Sequence, residues 1–160
     1  MRQISKVLTV VVLSFAIAAC GFHLRGKLPL SETVNVIFID ADNGDFKRDL
    51  VKGLKLAGAT IVDEPSQAKA ILQIVDEYTE REVLTVDSQG DASSYKLFYI
   101  VDFLVANSQQ ELLKEGRVSE NRQYSFRAGQ AIRQEREEEE LVEEMSQEIV
   151  VRIMRQLATL

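Results

Sequence analysis

The sequence predicts an α+β fold, and three observations carry the prediction. Tyr95–Ala106 (YKLFYIVDFLVA) is apolar on both of its alternating faces, as a central strand covered on both sides would be. Asp45–Ala57 and Ala128–Leu160 instead repeat their apolar residues at helical spacing. Around them the elements follow the order strand, helix, strands, helix.

Taken in order, Val34–Asp40 (VNVIFID) is a short β-branched run bounded by polar residues, the mark of a buried strand. Asp42-Asn43-Gly44-Asp45 turns the chain and offers a helix N-cap. The helix that follows carries Phe46, Leu50, Val51, Leu54 and Ala57 on one side and Lys47, Arg48, Lys52 and Lys55 on the other, and Gly58 stops it. Ala59–Val62 is a candidate short strand, ended by Asp63-Glu64-Pro65-Ser66. Ala70–Val86 is a long β-prone segment interrupted by acidic residues, which predicts a bulge or a frayed edge. After the turn Asp87–Asp91, the strand Tyr95–Ala106 places Tyr95, Leu97, Tyr99, Val101, Phe103 and Val105 on one face and Phe98, Ile100 and Leu104 on the other. Glu111–Phe126 is a further strand region. In the last helix Leu141, Met145, Ile149, Ile153 and Leu157 recur every four residues, after a run of glutamates that reads as a solvated face. The two helices can cover one sheet face. For the other, curvature of the sheet over its own core and a binding surface for lipid or protein both remain open.

Composition narrows the function. At 160 residues the chain has room for one domain. The net charge is −6, and Arg2 and Lys6 belong to the first segment, so the remainder stands at −8. That balance argues against nucleic acid as a partner, because phosphate contacts supply most non-specific affinity. One cysteine and one histidine cannot build an internal disulfide or a Cys/His metal site.

The lone cysteine has a different meaning. Met1–Lys6 is basic, and Val7–Ala19 is an apolar run shorter than the ~20 residues a spanning helix needs. Residues 1–19 therefore read as an export signal, against the alternative of an N-terminal core helix. Ile17-Ala18-Ala19-Cys20 resembles a bacterial lipobox, with cleavage before Cys20 and acylation of its thiol and new amine. Residues 20–33 then form the lipidated N-terminus and tether, and residues 34–160 the folded domain. By the same resemblance Gly21, where an Asp would favour retention at the inner membrane, implies export to the outer membrane with the domain in the periplasm. Phe22, Leu24 and Arg25 are unusual in a tether and suit docking to a membrane surface or to an embedded partner.

Cys20-Gly21-Phe22-His23-Leu24-Arg25-Gly26 directly after a lipobox resembles the start of the mature LptE family of lipopolysaccharide-assembly lipoproteins. The resemblance implies a two-layer sandwich, a four-stranded mostly antiparallel sheet with two helices packed on one face. It also implies a role as plug and assembly partner of the β-barrel translocon LptD, which places lipopolysaccharide in the outer leaflet. An adaptor lipoprotein for a different outer-membrane machine is the alternative. A net-acidic domain would hold phosphorylated lipid through a local basic patch, for which Arg122, Arg127, Arg133 and Arg136 are the candidates.

Catalysis finds little support in the residues. The chain contains no G-x-S-x-G, Walker or G-x-G-x-x-G sequence. Its carboxylates are plentiful but sit in exposed runs, and a single helix of glutamates cannot converge on a metal. A binding role is the expectation, with no cofactor, no metal and no catalytic residue.

Overall fold

The computed structural model describes residues 30–125 and 131–160, with side chains of the last helix from Arg133 onward. The expected signal, Cys20 as the expected lipidation site, the candidate docking residues Phe22, Leu24 and Arg25, and Arg127 lie outside the described residues. The elements are β1 (Val36–Asp40), α1 (Asp45–Ala57), β2 (Thr60–Val62), a 3-10 turn (Pro65–Gln67), β3 (Ala70–Val86), β4 (Ala92–Asn107), β5 (Leu112–Ser125) and α2 (Ala131–Leu157).

The class is the one expected, α+β with two helices on one face, but the sheet has five strands rather than four, in the order β2-β1-β3-β4-β5. The difference is β2, the candidate short strand, which pairs parallel to β1 through Val36–Thr60 and Phe38–Val62. β1 is also parallel to β3, whereas β3, β4 and β5 form an antiparallel meander, so the sheet is mixed. A three-residue strand carries almost no periodicity of its own. Its partner, brought alongside by the α1 crossover, makes it a strand.

α1 spans the expected residues, and its N-cap falls within the expected turn. Gly44 occupies the N-cap with no side-chain hydrogen bond, while Asp45 contributes its charge to the first turn. At the other end Gly58 adopts φ 98°, and the N–H groups of Gly58 and Ala59 donate to the carbonyls of Lys55 and Leu54. An L-residue with a side chain would be strained there.

The core lies between the helices and one sheet face. Ile37 and Ile39 of β1, Leu72 of β3, Leu97, Val101, Phe103 and Val105 of β4, and Val118 of β5 meet Phe46, Leu50 and Leu54 of α1 and Met145, Ile149, Ile153 and Leu157 of α2. Two glycines set the close approaches. A Cβ on Gly53 would lie 3.0 Å from Val150 Cγ1 and 3.1 Å from Met154 Sδ, so this glycine brings α1 against α2. A Cβ on Gly116 would lie 2.8 Å from Cζ of Phe103, its cross-strand partner, whose ring fills the space over the glycine.

No described helix lies over the second face. Ile100 is buried there, and Phe38, Ile71, Phe98 and Leu104 are half-buried. Across this face Arg117 meets Asp102 through two parallel bonds, Nε to Oδ1 and Nη2 to Oδ2, each 2.7 Å. The guanidinium holds the Asp102 carboxyl below the usual carboxylate range. The expected bulge in β3 is present between Ile74 and Asp76, and a second irregularity follows between Val83 and Thr85.

Candidate functional site

β3, β4 and β5 run on beyond the end of β1, and α1 begins only after β1 has ended, so the helices do not fill the core-side face evenly. A cleft of about 1340 Å³ opens between the first turns of α1, the N-terminal half of α2 and the distal part of the sheet. Its floor is Glu77, Thr79 and Arg81 of β3, Tyr99 of β4 and Tyr124 of β5. Eight carboxylates line it (Asp45, Asp49, Glu77, Glu135, Glu138, Glu139, Glu140 and Glu143) against three guanidinium groups (Arg48, Arg81 and Arg136). Its field therefore favours cations.

The floor is held by two tyrosines. Tyr99 donates to Glu77 Oε1 at 2.6 Å, and its ring meets Phe46 edge-on at 6.1 Å. Burial, then the bond to Glu77, raises the phenol pKa strongly. Tyr124 donates to Glu138 Oε2 at 2.8 Å and stacks on Tyr95, with 5.7 Å between centroids. Burial is again the first cause of its raised pKa. Arg81 lies over the Tyr95 ring at 4.7 Å and reaches Glu138 at 3.5 Å. Both phenols are thus protonated donors engaged with carboxylates, a scaffold that shapes the cleft and is suited to binding.

A second network stands between β5 and α2. Arg122 Nη2 is 3.1 Å from Glu144 and 2.5 Å from Glu148, and its Nη1 is 3.8 Å from Glu120. Arg152 closes the network by pairing with Glu120. The bond to Glu144 is the first cause of a raised Arg122 pKa. Of the four arginines read from the sequence, Arg122 is thus paired with glutamates across the strand–helix seam. Arg133 is exposed near the start of α2, and Arg136, also exposed, lines the acidic cleft. The run of glutamates is not uniformly solvated, since Glu138 is half-buried and accepts from Tyr124. Among the described residues no three His, Cys, Asp or Glu side chains come together as a metal site. Nor, among them, is any helix long and apolar enough to cross a membrane.

Tyr99 was read from the sequence only as a core-face residue of its strand, and no role in the site was read for Tyr124 or Arg81. Only the β3–β4–β5 register brings Arg81 and Tyr124 together on the two strands flanking β4.

The model of the LptE family, described as lipopolysaccharide-assembly, matches residues 31–157, which is nearly all of the domain just described. The chain belongs to the LptE family. A curated LPS-assembly lipoprotein LptE from Photorhabdus laumondii is 25% identical over 149 residues, covering 89% of this chain and 79% of its own length. Among solved structures, lipoprotein B of Nitrosomonas europaea superposes with a TM-score of 0.72 at 26% identity, over 86% of this chain and 90% of that one. Rare lipoprotein B of Shewanella oneidensis gives 0.69 at 26% identity, over 78% and 95%. LptE membership makes this an envelope lipoprotein of lipopolysaccharide assembly. It agrees with the family resemblance read from residues 20–26.

Proposed function

We propose that this lipoprotein is held on the outer membrane by acylated Cys20 and sits, from the periplasmic side, inside the LptD β-barrel. There it acts as plug and assembly partner and assists delivery of lipopolysaccharide to the outer leaflet. The observation that carries the reading is the family match over residues 31–157. The half-covered sheet face adds support, because a barrel wall would cover Phe38, Ile71, Phe98 and Leu104. The protein acts by binding, with no bond made or broken. Purified in mild detergent, the lipidated chain is expected to bring down a very large β-barrel identified as LptD by mass spectrometry, and its depletion to reduce the amount of assembled barrel. Recovery with a different outer-membrane machine, and LptD assembly unaffected by depletion, would overturn the reading.

Direct lipopolysaccharide binding belongs to the same proposal, with Arg122, Arg127, Arg133 and Arg136 as phosphate ligands. The acidity around them is a constraint: a lipid phosphate on Arg122 must displace Glu144 and Glu148. At Arg122 that exchange gives up charge-assisted bonds of the same kind, ~1.5–3 kcal/mol each, so the net gain has to come from Arg127, Arg133 and Arg136. Converting Arg127, Arg133 and Arg136 to Glu and Arg122 to Gln, which spares the β5–α2 seam a further negative charge, is expected to lower lipopolysaccharide affinity at least tenfold while leaving the circular dichroism spectrum unchanged. Retained affinity in this folded variant removes direct binding through these arginines.

A further inference from the structure

β1 pairs with β3 only as far as Asp40–Gln73, yet β3 continues to Val86. From Ile74 onward β3 has β4 on one side and, among the described residues, no strand on the other. An unpaired edge presents a row of backbone donors and acceptors. Register irregularities fall at Ile74/Asp76, Val83/Thr85 and Thr85/Val86, so Asp76–Val83 is a regular stretch between the first and the second. Eight residues at ~3.4 Å each offer about 27 Å of ladder. The stretch, DEYTEREV, contains no proline and no lysine, two of the usual means of blunting an edge.

Charge decides the occupant. Asp76, Glu77, Glu80 and Glu82 oppose the single Arg81. Side chains alternate, so Glu77, Thr79 and Arg81 face the acidic cleft while Asp76, Glu80 and Glu82 lie on the opposite face. A strand added here would find net negative charge on both of its faces. A second copy of this chain pairing through the same edge would set carboxylates against carboxylates, which is destabilising.

We propose that the Asp76–Val83 edge of β3 takes up an extended, cationic segment of a partner protein by strand addition. Its backbone completes the ladder, alternate basic side chains enter the cleft, and the others meet Glu80 and Glu82. Main-chain bonds supply affinity and charge supplies selection. The proposal needs neither lipopolysaccharide nor the arginine patch, so it stands or falls separately from the reading above.

The test uses the mature lipidated chain in detergent micelles and three ten-residue peptides: a Lys–Thr peptide repeating Lys-Lys-Thr-Thr, which puts lysines on both faces of the strand, and Glu–Thr and Lys–Pro peptides with Glu in place of its Lys or Pro in place of its Thr. The Lys–Thr peptide is expected to shift the backbone resonances of Asp76–Val83 and to slow their amide exchange at least tenfold. The Glu–Thr peptide should do neither. The Lys–Pro peptide carries the same charge but has no N–H at its prolines, which fall on whichever edge faces β3, and should bind at least tenfold more weakly. Glu80→Lys with Glu82→Lys, at exposed positions, should weaken the Lys–Thr peptide tenfold or more. Equal binding of the Lys–Pro peptide, or shifts confined to the glutamates of α2, would reduce the effect to charge alone and overturn the proposal. It is equally overturned if Asp76–Val83 amides are as protected as those of β4 before any peptide is added, because the chain's own N-terminal segment would then be the strand in place.

Discussion

Phe103→Ala is expected to remove ~3–5 kcal/mol of folding stability, the range for deleting a buried phenyl ring. A domain of this size has only ~5–15 kcal/mol in all. The ring is 1% exposed in β4, within the cluster formed by both helices. It also covers Gly116 on β5, where a Cβ would sit 2.8 Å from Cζ and 2.9 Å from Cε1. The site therefore has a second half. Gly116→Val must push the ring into α2 or bend β5, and overpacking of this kind costs ~1–3 kcal/mol. Urea unfolding should rank the variants as wild type, Gly116→Val, then Phe103→Ala. Residues in direct contact do not act additively, so Gly116→Val with Phe103→Leu should be more stable than the sum of the two single changes. Strict additivity would mean that the ring does not depend on the glycine.

Much of this fold was legible because its elements carry strong local signals. α1 has a 3.6-residue apolar stripe ending at a left-handed glycine, and both its bounds were readable. β4 carries six alternating apolar or aromatic residues on its core face, and the acidic interruptions in β3 announced irregular pairing. The parts that were not legible are set by tertiary partners. β2 is a strand because β1 lies beside it. The parallel pairing of β1 with β3 depends on where α1 crosses and has no local code. Nothing in residues 122–148 shows that Arg122 meets Glu144 and Glu148, because that pairing needs the angle at which α2 crosses β5. The acidic cleft arises in the same way, from a sheet longer than the helices that cover it. Sequence could place the glutamates on a helix face but could not supply the Tyr124 hydroxyl that gives Glu138 a structural partner.

Cys20→Ser is expected to abolish outer-membrane residence, the largest functional effect of any single change in the chain. Each buried methylene contributes ~0.8 kcal/mol to membrane binding, and one acyl chain holds only marginally, so stable attachment needs the several chains that a modified N-terminal cysteine carries. Serine provides no sulfur for the thioether, and without that modification the signal at 1–19 should remain uncut. No described helix can replace the anchor, since none is long and apolar enough to cross a bilayer. Mass spectrometry should therefore find the variant without acyl chains and heavier by the retained signal, and density fractionation should find it missing from the outer membrane. Gly21→Asp separates anchoring from address: it should leave Cys20 acylated but move the protein to the inner membrane. The folded domain, residues 34–160, is the same in all three chains. Loss of barrel assembly in both variants would then follow from location alone. A Cys20→Ser chain that still fractionates with the outer membrane at the wild-type level would show that tether residues such as Phe22, Leu24 and Arg25, or the partner, hold it there without lipid.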